Sequence, residues 1–161
     1  MLERIETDIR PSGGLAAVDL LEVMAERTRV FVVEQHCPYQ EVDEKDWGAV
    51  HVMLRIGGAL AAYARVVPHD DGVHHSIGRV LTVKRFRGRG LATKVVQASI
   101  TEIERRYPGR GIKIAAQSYL EEFYGHFGFM PVSEVYLEDG IPHIDMVLGH
   151  DGGEGPDGQR E

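Results

Sequence analysis

The stretch Lys84-Arg85-Phe86-Arg87-Gly88-Arg89-Gly90-Leu91-Ala92 concentrates the residue types that capture an anion. Glycines, having no Cβ, let a ligand lie against the backbone. The start of a helix adds unpaired N–H groups and the positive end of its dipole. Arg79, Lys84, Arg85, Arg87, Arg89 and Lys94 supply positive charge in a stretch that has no carboxylate. The whole chain carries a formal net charge of -7. A local basic cluster on an acidic background fits phosphate capture at one place better than general affinity for nucleic acid. A solvated basic turn would have the same composition.

A second polar concentration runs from Glu34 to Trp47, too polar and turn-prone for a core element, and it reads as a long loop. Its five carboxylates, with Tyr39 and Trp47, suit either a solvated acidic surface or an acceptor site that attracts a cationic amine. Cys37 is the only cysteine, so no internal disulfide forms, consistent with a reducing compartment. It follows His36, but adjacent side chains seldom aim at one point, which argues against a catalytic thiol. His69, His74 and His75 lack both helical i, i+4 spacing and a cysteine partner, so no metal is expected.

The elements that must position these residues are legible in outline. With 161 residues, 43% apolar and 27% charged, the chain suffices for one soluble globular domain over 1–148. The tail at 149–161 has no apolar anchor and is expected to be disordered. Met1-Leu2-Glu3-Arg4-Ile5-Glu6 has no apolar leader, and no run approaches the roughly 20 apolar residues that span a bilayer, so the reading is cytoplasmic with no membrane contact.

Leu2 to Ile9 alternates weakly as a first strand, broken at Pro11-Ser12-Gly13-Gly14. A helix is predicted from Leu15 to about Val33, with Leu15, Val18, Leu21, Met24 and Ala25 along one side; Val30 to Val33 is either its buried end or a turn into extended chain. His51 to Ile56 and Ala59 to Val67 flank Gly57-Gly58 as a hairpin. Ser76 to Val83 is a strand feeding the arginine-glycine loop. Leu91 to Tyr107 is an amphipathic helix with Leu91, Val95, Val96, Ile100 and Ile103 on one stripe, stopped by Pro108-Gly109. Ile112 to Ala116 is a buried strand. Ser118-Tyr119-Leu120-Glu121 has the form of a capping box, opening a helix with Leu120, Phe123, Tyr124 and Phe127 on one face and Gly128 as its cap. Met130 to Leu137 and His143 to Leu148 are the last strands, and their exposed edges permit a homodimer.

Two named phosphate loops are excluded: Thr93 stands where the dinucleotide fingerprint needs its third glycine, and there is no G-K-[ST]. Arg85-Phe86-Arg87-Gly88-Arg89-Gly90 instead resembles the [Q/R]-x-x-G-x-[G/A] acyl-CoA signature of the GNAT acetyltransferase superfamily. Glu122-Phe123-Tyr124-Gly125-His126-Phe127-Gly128-Phe129 resembles that superfamily's F-Y-x-x-x-G-F segment. Two motifs in the correct order, with a helix and a strand between them, are far more specific than either alone. Val30-Phe31-Val32-Val33-Glu34-Gln35 with Cys37-Pro38-Tyr39, and Glu134-Val135-Tyr136 before Asp139-Gly140-Ile141-Pro142-His143, resemble the ElaA-like branch. The resemblance spans Leu15 to Leu148.

The resemblance implies an α/β (α+β) GNAT fold, a mixed central sheet flanked by helices and splayed where the strand Ile77 to Val83 diverges from Ile112 to Ala116, leaving a slot for the cofactor. It implies acetyl-CoA as the acetyl donor, with its pyrophosphate on the backbone amides of the loop. The cofactor-binding residues would be Thr82, Arg85, Arg87, Gly88, Arg89, Gly90, Leu91 and Ala92, with Leu81 and Val83 offering backbone hydrogen bonds as if to an added strand. Tyr124 matches the family's tyrosine acid. By periodicity alone it reads as packing, and a buried ring with a directed hydroxyl serves both roles.

An alkylammonium of pKa near 10.4 is neutral in only about one part in a thousand at pH 7.4, a handicap of about 4 kcal/mol, so a base or a water chain has to take its proton. Glu34, ending the first helical region, is the first candidate; His143 and Glu134 on the last strand pair are rivals. Gln117, just past the strand Ile112 to Ala116, suits a hydrogen bond to the cofactor or the acceptor. The expected partners are acetyl-CoA and a primary amine of a small molecule or peptide, acetylated by direct attack. A different class of function, an idle acyl-CoA-binding domain acting as a sensor or interaction module, fits the same loop but has no need of the Tyr124 hydroxyl. Nucleic-acid binding through Arg79 to Lys94 is disfavoured by the acidic balance and the lack of a flanking aromatic platform.

Overall fold

The computed structural model describes residues 3–149. The segment 150–161, part of the tail expected to be disordered, lies outside the described residues. The chain forms two compact units: one holds the chain up to Val67 together with Arg79–Ser99, the other Pro68–Gly78 and the chain from Ile100 onward.

In the first unit β1 (Ile5–Pro11) runs antiparallel to β2 (Val50–Ile56), from Ile5 opposite Ile56 to Pro11 opposite Val50. β2 turns into β3 (Ala59–Pro68) through Gly57 and Gly58, at φ 59° and 83°. Two successive left-handed residues are what a two-residue hairpin turn requires, and glycine adopts them without steric cost. β4 (His75–Thr82) begins in the second unit and ends in the first. Hydrogen bonding links β1-β2-β3-β4 and continues from β4 to β5 (Ile112–Gln117), β8 (Ile141–Leu148) and β6 (Met130–Pro131), with β7 (Tyr136–Glu138) also on β8. The fold class is as expected, a mixed α/β fold with an open sheet and flanking helices. β4 and β5 (Ile112–Gln117) are parallel, and their register is confined to His75 opposite Ile112.

Val23, Met53, Leu60, Tyr63 and Leu81 form a core cluster in the first unit, with Leu15, Val30, Phe31 and Val83 packed on it. Helix α1 (Ala17–Arg27) does not bury the stripe its sequence suggested. Val18 and Leu21 are 72% and 68% exposed, while Val23 and Arg27 are fully buried. Apolar residues occupy both sides of this helix, and the face that turns inward is the one whose arginine finds buried carboxylates. The helix continues into a π-helical segment, Thr28–Glu34, closed by a hydrogen bond from Cys37 N–H to the Val32 carbonyl.

Helix α2 (Leu91–Arg106) buries Leu91, Val95, Val96, Ile100 and Ile103 as its period predicts. In the second unit, the capping box expected at Ser118 does not form. Ser118–Leu120 is a 3-10 turn leading into the single-turn helix α3 (Glu121–Gly125), neither with a side-chain cap. Tyr124 is nevertheless buried on the predicted face, and Gly128 takes the left-handed conformation at φ 100°.

The expected strand Met130 to Leu137 is split. β6 (Met130–Pro131) and β7 (Tyr136–Glu138) both pair with β8 (Ile141–Leu148), and the four residues 132–135 lie opposite only Ile144 and Asp145. The Ser133 hydroxyl accepts the Asp145 N–H at 2.9 Å, replacing a ladder carbonyl and stabilising the bulge.

Candidate active site

The arginine-glycine loop begins where β4 ends. Val83 N–H donates to the Ala61 carbonyl at 2.8 Å, and the Val83 carbonyl accepts from Phe86 N–H at 2.8 Å. Val83, expected to offer its amide to a ligand, therefore gives it to β3. Alternation along an extended strand turns the Leu81 backbone the same way and the Thr82 backbone the opposite way. Of the three strand residues, Thr82 is the one with backbone facing away from β3.

Past a 3-10 turn at Lys84–Phe86, Gly88 and Gly90 both adopt left-handed conformations, at φ 82° and 74°. A Cβ at either would meet nothing within 4 Å, so the loop has open space above both α-carbons. α2 starts at Leu91, leaving its first N–H groups without intrahelical partners. Phe86 is buried beneath two guanidiniums, Arg85 at 4.3 Å and Arg89 at 5.4 Å from its ring centre. Arg87 donates from Nε to the Thr82 carbonyl at 3.1 Å and from its NH2 to Glu34 Oε1 at 2.9 Å. The loop thus combines glycine-lined backbone, a helix start and guanidiniums held in place.

Arg79 is not part of this positive cluster. Its guanidinium turns toward Glu41 and Asp43, and it belongs to a buried network that sequence reasoning missed. Arg27, fully buried, donates to Glu41 from Nε at 3.0 Å and to Asp46 from NH1 at 2.7 Å. Arg65 donates to Asp43 and Asp46 at 2.7 and 3.0 Å. Three of the loop's carboxylates, Glu41 and Asp46 buried and Asp43 partly exposed, are therefore paired with arginines of the same chain. Burial disfavours the charges at Arg27 and Asp46. The bonds between them outweigh it, raising the arginine pKa and holding the Asp46 carboxyl below the usual range. The available signal was Arg65 inside the otherwise apolar run of β3, since a charge buried there requires a partner.

His51 sits against this network, with Nδ1 2.6 Å from the Tyr63 hydroxyl and Nε2 2.8 Å from Ser12 Oγ. Ser12 donates to the Asp46 carbonyl, so the hydrogen on His51 belongs on Nε2 and Nδ1 accepts from Tyr63. Burial first, then the charge of Arg27, lowers the His51 pKa to about 4.

The remaining candidates lie in the second unit. Tyr124 is 7% exposed, edge-on to Phe123 and Phe129 at 5.0 and 5.9 Å. Burial raises its pKa to about 12, which keeps the proton on the phenol. His143 lies opposite Gln117 on β5 and Tyr136 on β7, a row of three across adjacent strands. Its Nδ1 is 2.7 Å from the Ile141 carbonyl, which can only accept, so Nε2 carries the free lone pair, 3.7 Å from Glu138. Glu134 is exposed on the bulge. Among the described residues no His/Cys/Asp/Glu cluster suits a metal, and no helix is long and apolar enough to cross a membrane.

A family model described as an acetyltransferase (GNAT) domain matches residues 18–149. The chain belongs to the GNAT acetyltransferase family. Within it, Escherichia coli protein ElaA is 38% identical over 136 residues, covering 83% of this chain and 89% of that protein. The crystal structure of E. coli ElaA superposes with a TM-score of 0.83 at 35% identity, over 89% of this chain and 99% of that one. That of an acyl-CoA N-acyltransferase from Pseudomonas aeruginosa gives 0.85 at 37% identity, over 89% and 99%. The ElaA-like branch and the GNAT fold expected from the motifs are thereby established. The sequence match begins in α1, and so includes the buried arginine network as well as both GNAT motifs.

Proposed function

We propose that this chain, with residues 1–148 as a single GNAT domain, is an acetyl-CoA-dependent N-acetyltransferase that moves the acetyl group to a primary amine of a small molecule or peptide by direct attack. The observation that carries this reading is the pair of left-handed glycines, Gly88 and Gly90, with open space over both α-carbons immediately before α2. A diphosphate fits such a backbone, and a Cβ would fill the room it needs.

Arg85, Arg87, Arg89, Leu91 and Ala92 complete the donor-binding stretch, with the Thr82 N–H, on the side of the chain away from β3, aligning the extended arm while its carbonyl holds Arg87. In the reaction the amine nitrogen forms a bond to the thioester carbonyl carbon, the carbon–sulfur bond breaks, and the sulfur leaves with the electron pair. Tyr124, its proton retained by burial, donates to the departing sulfur. For the base, the geometry favours His143 over Glu34: the His143 Nδ1–H is engaged with Ile141 and Nε2 is left to accept, whereas Glu34 already accepts from Arg87. Gln117, opposite His143, orients the acceptor or the thioester. The lone cysteine, which stays a thiol in a reducing compartment, accords with action in the cytoplasm.

Thermal unfolding with acetyl-CoA, CoA and ATP tests the donor assignment. A ligand present at a hundred times its Kd and bound only to the native state adds about 2.7 kcal/mol. Stabilisation by acetyl-CoA and CoA but not by ATP is the expected result, to be succeeded by a screen of amines. No shift with any of them rules out a working CoA loop.

A further inference from the structure

The pairing of β7 with β8 sets Tyr136 directly opposite His143, and the tip of the tyrosine reaches two residues further along β8, to Asp145. Its hydroxyl donates to Asp145 Oδ1 at 2.5 Å. Its ring lies nearly parallel to the imidazole, with 26° between the planes and 6.2 Å between the centres. Side chains two apart on a strand share a face, so the phenol spans from His143 to Asp145 along one side of β8. Burial, and then the bond to Asp145, raise the Tyr136 pKa, so the hydroxyl keeps the proton it donates.

Asp145 is itself anchored. The bulge at 132–135 holds both of its backbone groups: Val132 N–H donates to the Asp145 carbonyl at 2.8 Å, and Asp145 N–H donates to the Ser133 hydroxyl at 2.9 Å. Bulges in natural sheets often serve to aim a side chain. This one fixes the strand position that carries the acceptor for Tyr136.

The arrangement matters because a neutral imidazole carries one proton, and two groups compete for it at His143. The Ile141 carbonyl, 2.7 Å from Nδ1, holds the proton there. Glu138 lies 3.7 Å from Nε2, beyond hydrogen-bond distance. An imidazole that swung toward Glu138 would place its proton on Nε2, and that nitrogen would have no lone pair left for an amine. The parallel Tyr136 ring bounds this swing.

We propose that Tyr136, clamped by Asp145, is a positioning residue for His143, holding the imidazole on Ile141 and away from Glu138 so that Nε2 stays open to the proton of the acceptor amine. The inference rests on the reading of His143 as the base.

Long-range proton–nitrogen correlation NMR on the full chain, at a pH where the imidazoles are neutral, reads which ring nitrogen carries the proton, and His143→Gln assigns the signal. In the wild type His143 carries it on Nδ1. Tyr136→Phe keeps the ring and removes the clamp, and the ratio of the Nδ1–H to the Nε2–H form falls by about three- to tenfold, the worth of one hydrogen bond. Asp145→Asn retains an oxygen that accepts from Tyr136, and stays within about twofold of the wild type. Adding Glu138→Ala to Y136F removes the competing acceptor and restores the wild-type ratio. Should Y136F fail to fold, Asp145→Ala breaks the same bond from its other end and takes its place. An unchanged ratio in Y136F, an equal fall in Asp145→Asn, or a fall that Glu138→Ala does not reverse overturns the inference alone. A wild-type His143 with its proton on Nε2 overturns the assignment of the base and this inference with it.

Discussion

Glu34, the last residue of the π-helical segment, accepts a hydrogen bond from the guanidinium of Arg87 at 2.9 Å, across 53 positions of sequence. The pair joins the residue expected to act as a base to the loop expected to hold phosphate. Both side chains are partly exposed, so the ion pair is weak in itself and open to competition from an arriving anion. With the donor's diphosphate on this loop, as proposed, Glu34 and a phosphate would compete for one arginine.

Removing the competitor strengthens the loop. Glu34→Gln should bind CoA about two- to fivefold more tightly, as expected for an exposed ion pair worth up to about 1 kcal/mol. Arg87→Gln should weaken CoA, and in that background Glu34→Gln should have no further effect. Titration calorimetry on the four proteins forms a double-mutant cycle. Additive effects would show that the two residues do not share a ligand.

Tyr124 separates turnover from binding. Tyr124→Phe keeps the ring that packs against Phe123 and Phe129 and removes only the hydroxyl. A general acid contributes about 10²–10⁴-fold, so kcat falls by that order once an amine substrate is in hand, while CoA affinity holds. Unchanged kcat would leave Tyr124 a packing residue and assign the proton for the departing sulfur to another group or to water.

The two loop glycines are predicted to matter more for the ligand than for the fold. A Cβ at Gly88 or Gly90 meets no atom within 4 Å, so alanine there carries only the left-handed backbone cost, about 1–2 kcal/mol. Unfolding midpoints should drop modestly, and CoA protection in thermal unfolding should be lost. Full CoA protection in both alanine variants would place the diphosphate elsewhere.

Arg27 is expected to be among the most sensitive positions in the chain. Arg27→Leu fills similar space but takes from Glu41 and Asp46 one of the two arginines that each faces, Arg79 and Arg65 remaining, and breaking a buried pair from one side costs up to about 3–5 kcal/mol. Urea unfolding measures the loss. A change below about 1 kcal/mol, the range of exposed pairs, would mean that these carboxylates reach solvent.

His51 sets an acid limit. Burial and Arg27 hold its folded pKa at about 4 against an ordinary 6.5, so between those values the unfolded chain takes up a proton that the native state refuses. Stability therefore falls as pH drops through this window, by at most about 1.4 kcal/mol per pH unit from this residue. Asp46, held below the usual carboxylate range, supports the fold above that range and withdraws its support at still lower pH. Urea midpoints measured across the window should slope less in His51→Gln than in the wild type. An unaltered slope would assign the acid sensitivity to other groups.

The sequence by itself determined whatever depends on neighbours along the chain. The stripe Leu91, Val95, Val96, Ile100, Ile103 has a single helical period and no rival, and it was buried as read. Gly57-Gly58 specified its hairpin because a two-residue turn with φ positive at both positions is open to glycine at no steric cost. The motifs around Gly88 and Tyr124 identified the family because their order and spacing are themselves sequence properties. Tertiary structure decided the choices that local pattern leaves degenerate. α1 carries apolar residues on both sides, and the buried face was fixed by Arg27 reaching Glu41 and Asp46, residues 14 and 19 positions away. Which backbone groups at the end of β4 turn away from β3 depended on a hydrogen bond from Val83 to Ala61, and no periodicity reveals on which edge a neighbouring strand will lie. The carboxylates of the acidic loop looked free because their partners, Arg27, Arg65 and Arg79, are scattered along the chain and meet only when it folds.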